Sequence, residues 1–197
     1  MTGLEATLYR QRLAKHGFAV RQFHYRSMTA IADAVLDELA TLVRSLPPPV
    51  HLIGHSLGGL LVLKLARRDP TLPLGRLVLL GSPVNGSRSA RAFAAMPAAS
   101  LMFGDLASGE LLAGPAPRWQ APPEVGVVAG THSLGLGRFI SHLPEPNDGA
   151  VALDETELEG ATDRLVLRVS HTGLLVSRAV AAASVSFLRS GRFVPAP

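Results

Sequence analysis

The stretch "HLIGHSLGGLLVLKLA", His51 to Ala66, decides the reading of this chain. An apolar run ends in Gly54, a serine follows between two glycines, and a helical pattern begins at once. Gly54-His55-Ser56-Leu57-Gly58 is a G-x-S-x-G pentapeptide in the order strand, motif, helix. At such a sharp turn the serine backbone is strained, and bulk two residues to either side, at Gly54 or Gly58, is expected to clash with neighbouring chain. The Ser56 hydroxyl then projects from the carboxyl end of a strand. The following helix aims its positive end at the same place, and the Leu57 N–H becomes a donor for a developing oxyanion. The competing reading is a plain glycine turn between a strand and a helix.

Working outward, Leu4, Leu8 and Leu13 fall near helical spacing over residues 3–16, and Gly17 is a stop. "FAVRQFHY" (18–25) alternates and predicts a strand. Ile31, Val35, Leu39 and Val43 predict a helix over 29–46, capped by Ser27 or Thr29 and ended by the prolines at 47–49. Residues 50–54, 76–83, 124–130 and 164–170 read as buried strands. Helices are predicted over 57–68 and 173–190, the last broken off at Gly191. Strands alternating with helices imply an α/β fold, a mostly parallel open sheet with helices on both faces. The 197 residues fit one domain. Two stretches interrupt the alternation. Residues 84–123 are rich in Ala, Gly and Pro yet carry apolar side chains. They suit either a cap or lid insertion at the carboxyl edge or a covered helix that completes the core. Residues 131–163 form a long polar excursion.

Composition narrows the function classes. Hydrophobic residues make up 47% and charged residues 17%, which excludes a disordered chain. The net charge is +4, but Arg67-Arg68 is the longest basic run and no aromatics interleave with it, so nucleic acid is not an expected partner. A weak attraction to anionic membrane surfaces is compatible with this charge. With no cysteine, disulfides, zinc–thiolate centres and cysteine nucleophiles are excluded. No metal or organic cofactor is expected, since His132 and His142 are isolated. The amphipathic, charged N-terminus lacks a signal-peptide core, and no uncharged apolar run reaches the ~18 residues that span a bilayer. A cytoplasmic location is the expectation.

A serine nucleophile needs a base. His16 and His24 precede the elbow, His51 lies within its strand, and His55 is too close in sequence to face Ser56. His171, in "VSHTGLL" after the last strand, sits on a loop at the sheet edge where Ser56 stands, and His132 is the reserve. The acid belongs on a loop before the base. Asp148, in a Pro-bounded turn, leads on spacing, with Asp163 next and Asp154 also available, although Asn-Asp-Gly is ordinary turn chemistry.

Four stretches, "HLIGHSLGG", "LVLLGSPVNGS", "PNDGAVALDETELEG" and "VSHTGLLVS", make the chain resemble the α/β-hydrolases, in particular small bacterial lipases and esterases and their GPI inositol-deacylase-like relatives. The resemblance covers the chain from the elbow to the final helix. It implies that Asp148, the Asp before Gly-x-Val, is the triad acid and that His171 is the base. The implied activity is hydrolysis of a small-molecule or lipid ester with an apolar acyl group, through an acyl-enzyme. Thioesterase, acyltransferase and amidase chemistry share the same triad, and a catalytically impaired binding protein is the other class of reading. The resemblance also implies a central strand ending in His-Gly before the first helix, whose loop gives a second oxyanion donor. This chain starts just past that point. Either Met1 is an internal methionine or the sheet lacks that strand. Loss of one such donor commonly costs ~10²–10³ in rate, so a form without it is expected to be poorly stable and weakly active.

Overall fold

The fold is seen in a computed structural model that describes residues 3–25, 32–94, 109, 111–112, 114–120, 122–134 and 143–194. Four strands form one parallel sheet in the order β1 (Val50–His55), β2 (Leu74–Leu80), β3 (Val125–Gly130) and β4 (Asp163–Leu167). Among the described residues the helices are α1 (Gly3–Lys15), α2 (Ala32–Arg44), α3 (Leu57–Arg68), α4 (Arg88–Ala94), α5 (Gly173–Val176) and α6 (Arg178–Ser190).

Strand β3 and the last four residues of β2, Leu77–Leu80, are apolar and buried at every position because both faces are covered. On β2, Leu77 and Leu79 face one side and meet Val62, Leu63 and Ala66 of α3, with Trp119, Val125 and Val127. Val78 and Leu80 face the other side and meet Tyr9 and Leu13 of α1 and Val180, Phe187 and Leu188 of α6. A third cluster seats α2 on α3, through Val35, Leu36, Leu39 and Val43 against Leu57, Leu61 and Leu65. Burial of these aliphatic side chains, at about 1.5–3 kcal/mol each, is the main stabilising term. Tyr9 Oη, buried on α1, donates to Ser184 Oγ on α6 at 2.6 Å, so the two helices are tied by a polar bond inside an apolar layer.

Two expected elements differ. Residues 18–25 form no ladder with any described strand. The alternation there records burial: Phe18 and Val20 pack on the α1–α6 side, and Phe23 and Tyr25 pack on the α2–α3 side. Alternation reports which side chains are covered; a strand needs a backbone partner as well. The helix expected over 173–190 is two helices. Ser177 between them is extended (φ −73°, ψ 133°), and its hydroxyl accepts the Val180 N–H, capping α6. Gly191, in the left-handed conformation, ends α6 as expected.

The described end of the 84–123 stretch is part of the core: Trp119 is buried, its indole N–H donates to Pro123 O (2.9 Å), and Arg67 lies over its ring. Its other expected apolar residues between 95 and 108, like Ser27, Thr29 and His142, lie outside the described residues. No described helix is long and apolar enough to cross a membrane.

Candidate active site

The elbow is built from backbone contacts. Ser56 has φ 53° and ψ −125°, the one non-glycine positive φ among the described residues. A strained serine persists only where its surroundings over-determine it. Here the Ser56 N–H bonds Leu80 O of β2 (2.9 Å), and Ser56 O accepts the Gly59 N–H (3.0 Å). A Cβ on Gly54 would lie 2.4 Å from the Gly59 Cα and 2.5 Å from Gly58 O, so β1 and α3 touch where no side chain fits. Gly58 differs from expectation: the nearest described atom to a Cβ there is Tyr25 Oη at 3.8 Å, an ordinary contact. The tight downstream glycine is Gly59, where a Cβ would sit 2.0 Å from Ser82 Oγ. One turn of helix brings the third residue after the serine, not the second, back onto β1 and the end of β2. Ser56 stands at the N-cap of α3 but does not cap it, and its hydroxyl makes no hydrogen bond among the described residues. Leu57 is the first residue of α3, where the N–H has no acceptor inside the helix.

The acid and base arrive from loops beyond β3 and β4. His171 Nδ1 lies 2.7 Å from Asp148 Oδ2, and the His171 N–H donates to Asp148 O at 2.9 Å. The carboxylate therefore sets both the ring and the main chain of the histidine. Asp148 is almost fully buried, and its second oxygen, Oδ1, accepts the N–H groups of Ala150 (3.0 Å) and Val151 (2.8 Å). These bonds fix the orientation of the carboxylate. The pair sits over the ends of β2 and β3. A Cβ on Gly81, which has φ 54°, would reach 3.1 Å from Asp148 Oδ2 and 3.2 Å from His171 Nδ1. One on Gly130 would reach 2.9 Å from the Asp148 Cβ.

The alternatives in sequence take other partners. Asp163 begins β4, at the opposite rim, where its Oδ2 accepts the Phe193 N–H (2.7 Å). Asp154 receives both arms of Arg88, at 2.8 and 2.7 Å. Among the described residues the ring of His132 pairs with no carboxylate, while its N–H bonds Val169 O. Ser56, Asp148 and His171 thus stand at one rim, with Asp148 and His171 directly bonded. Ser56 is connected through its neighbour: the His55 ring lies 4.5 Å from the His171 ring, and His55 Nε2 is 3.0 Å from His171 O. Sequence reasoning named His55 only as a member of the elbow motif, too close to Ser56 to be its base, and passed over Gly59, Gly81 and Glu155. The glycines carry a visible signal, since each follows directly on a strand or motif; the other two do not.

A model of the alpha/beta hydrolase family matches residues 4–194. The chain belongs to the alpha/beta hydrolase family. No curated protein sequence matches it. Among solved structures, this α/β-hydrolase is similar to the mature form of the Bacillus licheniformis lipase BlEst2, with TM-score 0.68 and 17% identity, covering 91% of this chain and 81% of that one. The metagenomic carboxyl esterase MGS0156 matches with TM-score 0.62 and 17% identity over 83% of this chain and 57% of its own. A pyrethroid hydrolase from Sphingobium faniae JZ-2 matches with TM-score 0.58 and 13% identity over 95% and 93%. At these identities the likeness is one of fold.

Proposed function

We propose that this α/β-hydrolase is a serine carboxylic-ester hydrolase acting through an acyl-enzyme on an ester with an apolar acyl group. The carrying observation is the buried Asp148 bonded to His171 beside the strained Ser56 turn. In this reading His171 Nε2 takes the Ser56 proton as Oγ attacks the ester carbon, and the carbonyl oxygen becomes an oxyanion facing the Leu57 N–H. Asp148 holds the Nδ1–H tautomer and stabilises the imidazolium. His171 then gives its proton to the leaving alcohol. A water, deprotonated by the same nitrogen, attacks the acyl-enzyme and releases the carboxylic acid, restoring Ser56. The unbonded Ser56 hydroxyl is compatible with this, because catalytic hydrogen bonds often tighten only when substrate is bound. The apolar 84–123 stretch, which begins beyond the carboxyl end of β2, is the segment proposed to receive the acyl chain.

Turnover of p-nitrophenyl esters tests the reading. The wild-type protein is expected to hydrolyse them and to be labelled by a fluorophosphonate, and Ser56→Ala is expected to lose both. Undiminished turnover in Ser56→Ala would remove Ser56 from the mechanism. A wild-type protein that neither turns over nor labels would support the binding-protein reading, and a panel of thioesters and amides separates the remaining chemistries.

A further inference from the structure

His55 ends β1, and strand alternation turns its side chain away from α3, to the face where α5 and α6 pack. There its ring lies under His171. Nε2 is 3.0 Å from the His171 carbonyl oxygen, and the two rings stand 4.5 Å apart at 46°. A carbonyl oxygen only accepts, so Nε2 must carry the hydrogen, which assigns the tautomer. Nδ1 then keeps its lone pair. It is out of reach of solvent and has no partner among the described residues. Protonating the ring would bury an unpaired N–H and set a cation against His171. Burial, and next the charge of His171, accordingly hold the His55 pKa down to about 3. The ring is a neutral, single-donor strut.

Its place in the site follows from what else holds His171. The His171 N–H is on Asp148 O, Nδ1 is on Asp148 Oδ2, and the carbonyl is on His55. Both main-chain groups and one ring nitrogen are thereby fixed, and Nε2 remains for the nucleophile. We infer that His55 is a positioning residue, whose Nε2–H bond to the His171 carbonyl anchors the base at the distance from Ser56 that proton transfer needs. The inference rests on the triad reading above and deepens it. His55 touches neither substrate nor reacting atoms. Its bond goes to a carbonyl whose charge does not change when the His171 ring is protonated, so the anchor holds in both halves of the cycle. Because the strut sits on the residue preceding Ser56, it ties nucleophile and base to the same strand end.

The test pairs two substitutions that separate hydrogen bond from packing. His55→Gln keeps an amide donor at about the reach of Nε2; His55→Phe fills the ring volume and offers no donor. On p-nitrophenyl butyrate, His55→Gln is expected to keep kcat within about 3-fold of wild type. His55→Phe is expected to lose about 10–30-fold in kcat with KM within about 2-fold, a 1.4–2 kcal/mol loss by the tenfold-per-1.4 kcal/mol relation. Equal kcat in the two variants, or a better Phe variant, overturns the proposal. A measurement on the wild-type protein stands even where the Phe variant does not fold. The ¹⁵N side-chain shifts of His55 should report a neutral Nε2–H tautomer unchanged from pH 5 to 8, with His171 and Asp148 as the titratable groups facing it. An Nδ1–H tautomer, or titration in that range, overturns the proposal. Retained turnover in Ser56→Ala sinks the triad reading and this inference together. Lost turnover in Ser56→Ala with equal Phe and Gln variants sinks this inference alone.

Discussion

Two turns carry the candidate triad's nucleophile and acid, and they are held by opposite means. The elbow from Gly54 to Gly59 is fixed by shape: backbone meets backbone at distances no Cβ tolerates, Ser56 is forced to φ 53°, and its side chain bonds nothing among the described residues. The acid turn from Pro146 to Glu157 is fixed by charge. Asp148 and Glu155 are 1% and 2% exposed, and between them they accept three successive N–H groups: Ala150 and Val151 on Asp148 Oδ1, Ala152 on Glu155 Oε2. Glu155 Oε1 takes the Arg88 N–H (2.6 Å), and Ser89 Oγ donates to Ala150 O (2.6 Å). The acid turn is thereby sewn to residues 85–89, which open the 84–123 stretch. A nucleophile needs an unencumbered hydroxyl, which steric strain leaves free. A triad acid must stay oriented while its buried oxygens keep hydrogen-bond partners, which donors supply.

The contrast can be broken most severely at Gly54. Gly54→Ala places a methyl inside the α3 backbone, and the expected result is loss of ester hydrolysis with about 3 kcal/mol or more of stability, read by urea unfolding. If Gly54→Ala is as stable as wild type, the steric account of the elbow fails. Gly58→Ala sharpens the same point from the other end. With only an ordinary contact to Tyr25 Oη among the described residues and a helical position, it should be neutral or stabilising by up to about 1 kcal/mol. In the acid turn, Glu155→Ala leaves the buried Ala152 N–H and the part-buried Arg88 N–H unpaired and should cost about 2–3 kcal/mol, with a fall in kcat because the Asp148 turn loosens. Unchanged stability would show that the turn does not depend on its second carboxylate.

A smaller effect comes from pH. Unfolded, His55 binds a proton near pH 6.5; folded, burial delays this to about 3. Between those values the unfolded chain binds more protons, so stability falls as pH falls, by up to about 1.4 kcal/mol per unit. From pH 7 to pH 5 the wild type should lose about 2 kcal/mol more than His55→Gln. Parallel pH curves for the two proteins would remove His55 as the buried neutral group.

The elbow and the four strands of the sheet were legible because each has a local signature, a glycine pair or an apolar run, whereas His171 was reached only by elimination and by its order along the chain. Asp148 was ahead of Asp154 and Asp163 on spacing, but nothing along the chain shows that Asp154 faces Arg88 or that Asp163 lies at the far rim. The 18–25 segment misled because side-chain alternation is visible in sequence and a ladder partner is not. The break at Ser177 was hidden inside a continuous apolar periodicity, since a cap there uses an ordinary serine. The role of Gly59 rather than Gly58 depends on where one helical turn meets Ser82, a residue more than twenty positions away.

By itself, the order of residues determined that a serine stands at a strained turn between a strand and a helix, inside an α/β chain of buried parallel strands. Those properties arise from neighbours within a few residues. Only the tertiary structure decided which carboxylate meets which histidine, that His55 braces the base, and that Glu155 closes the acid turn. Hydrogen bonds of about 3 Å between groups more than twenty residues apart exist only once the sheet has brought the strand ends to one rim.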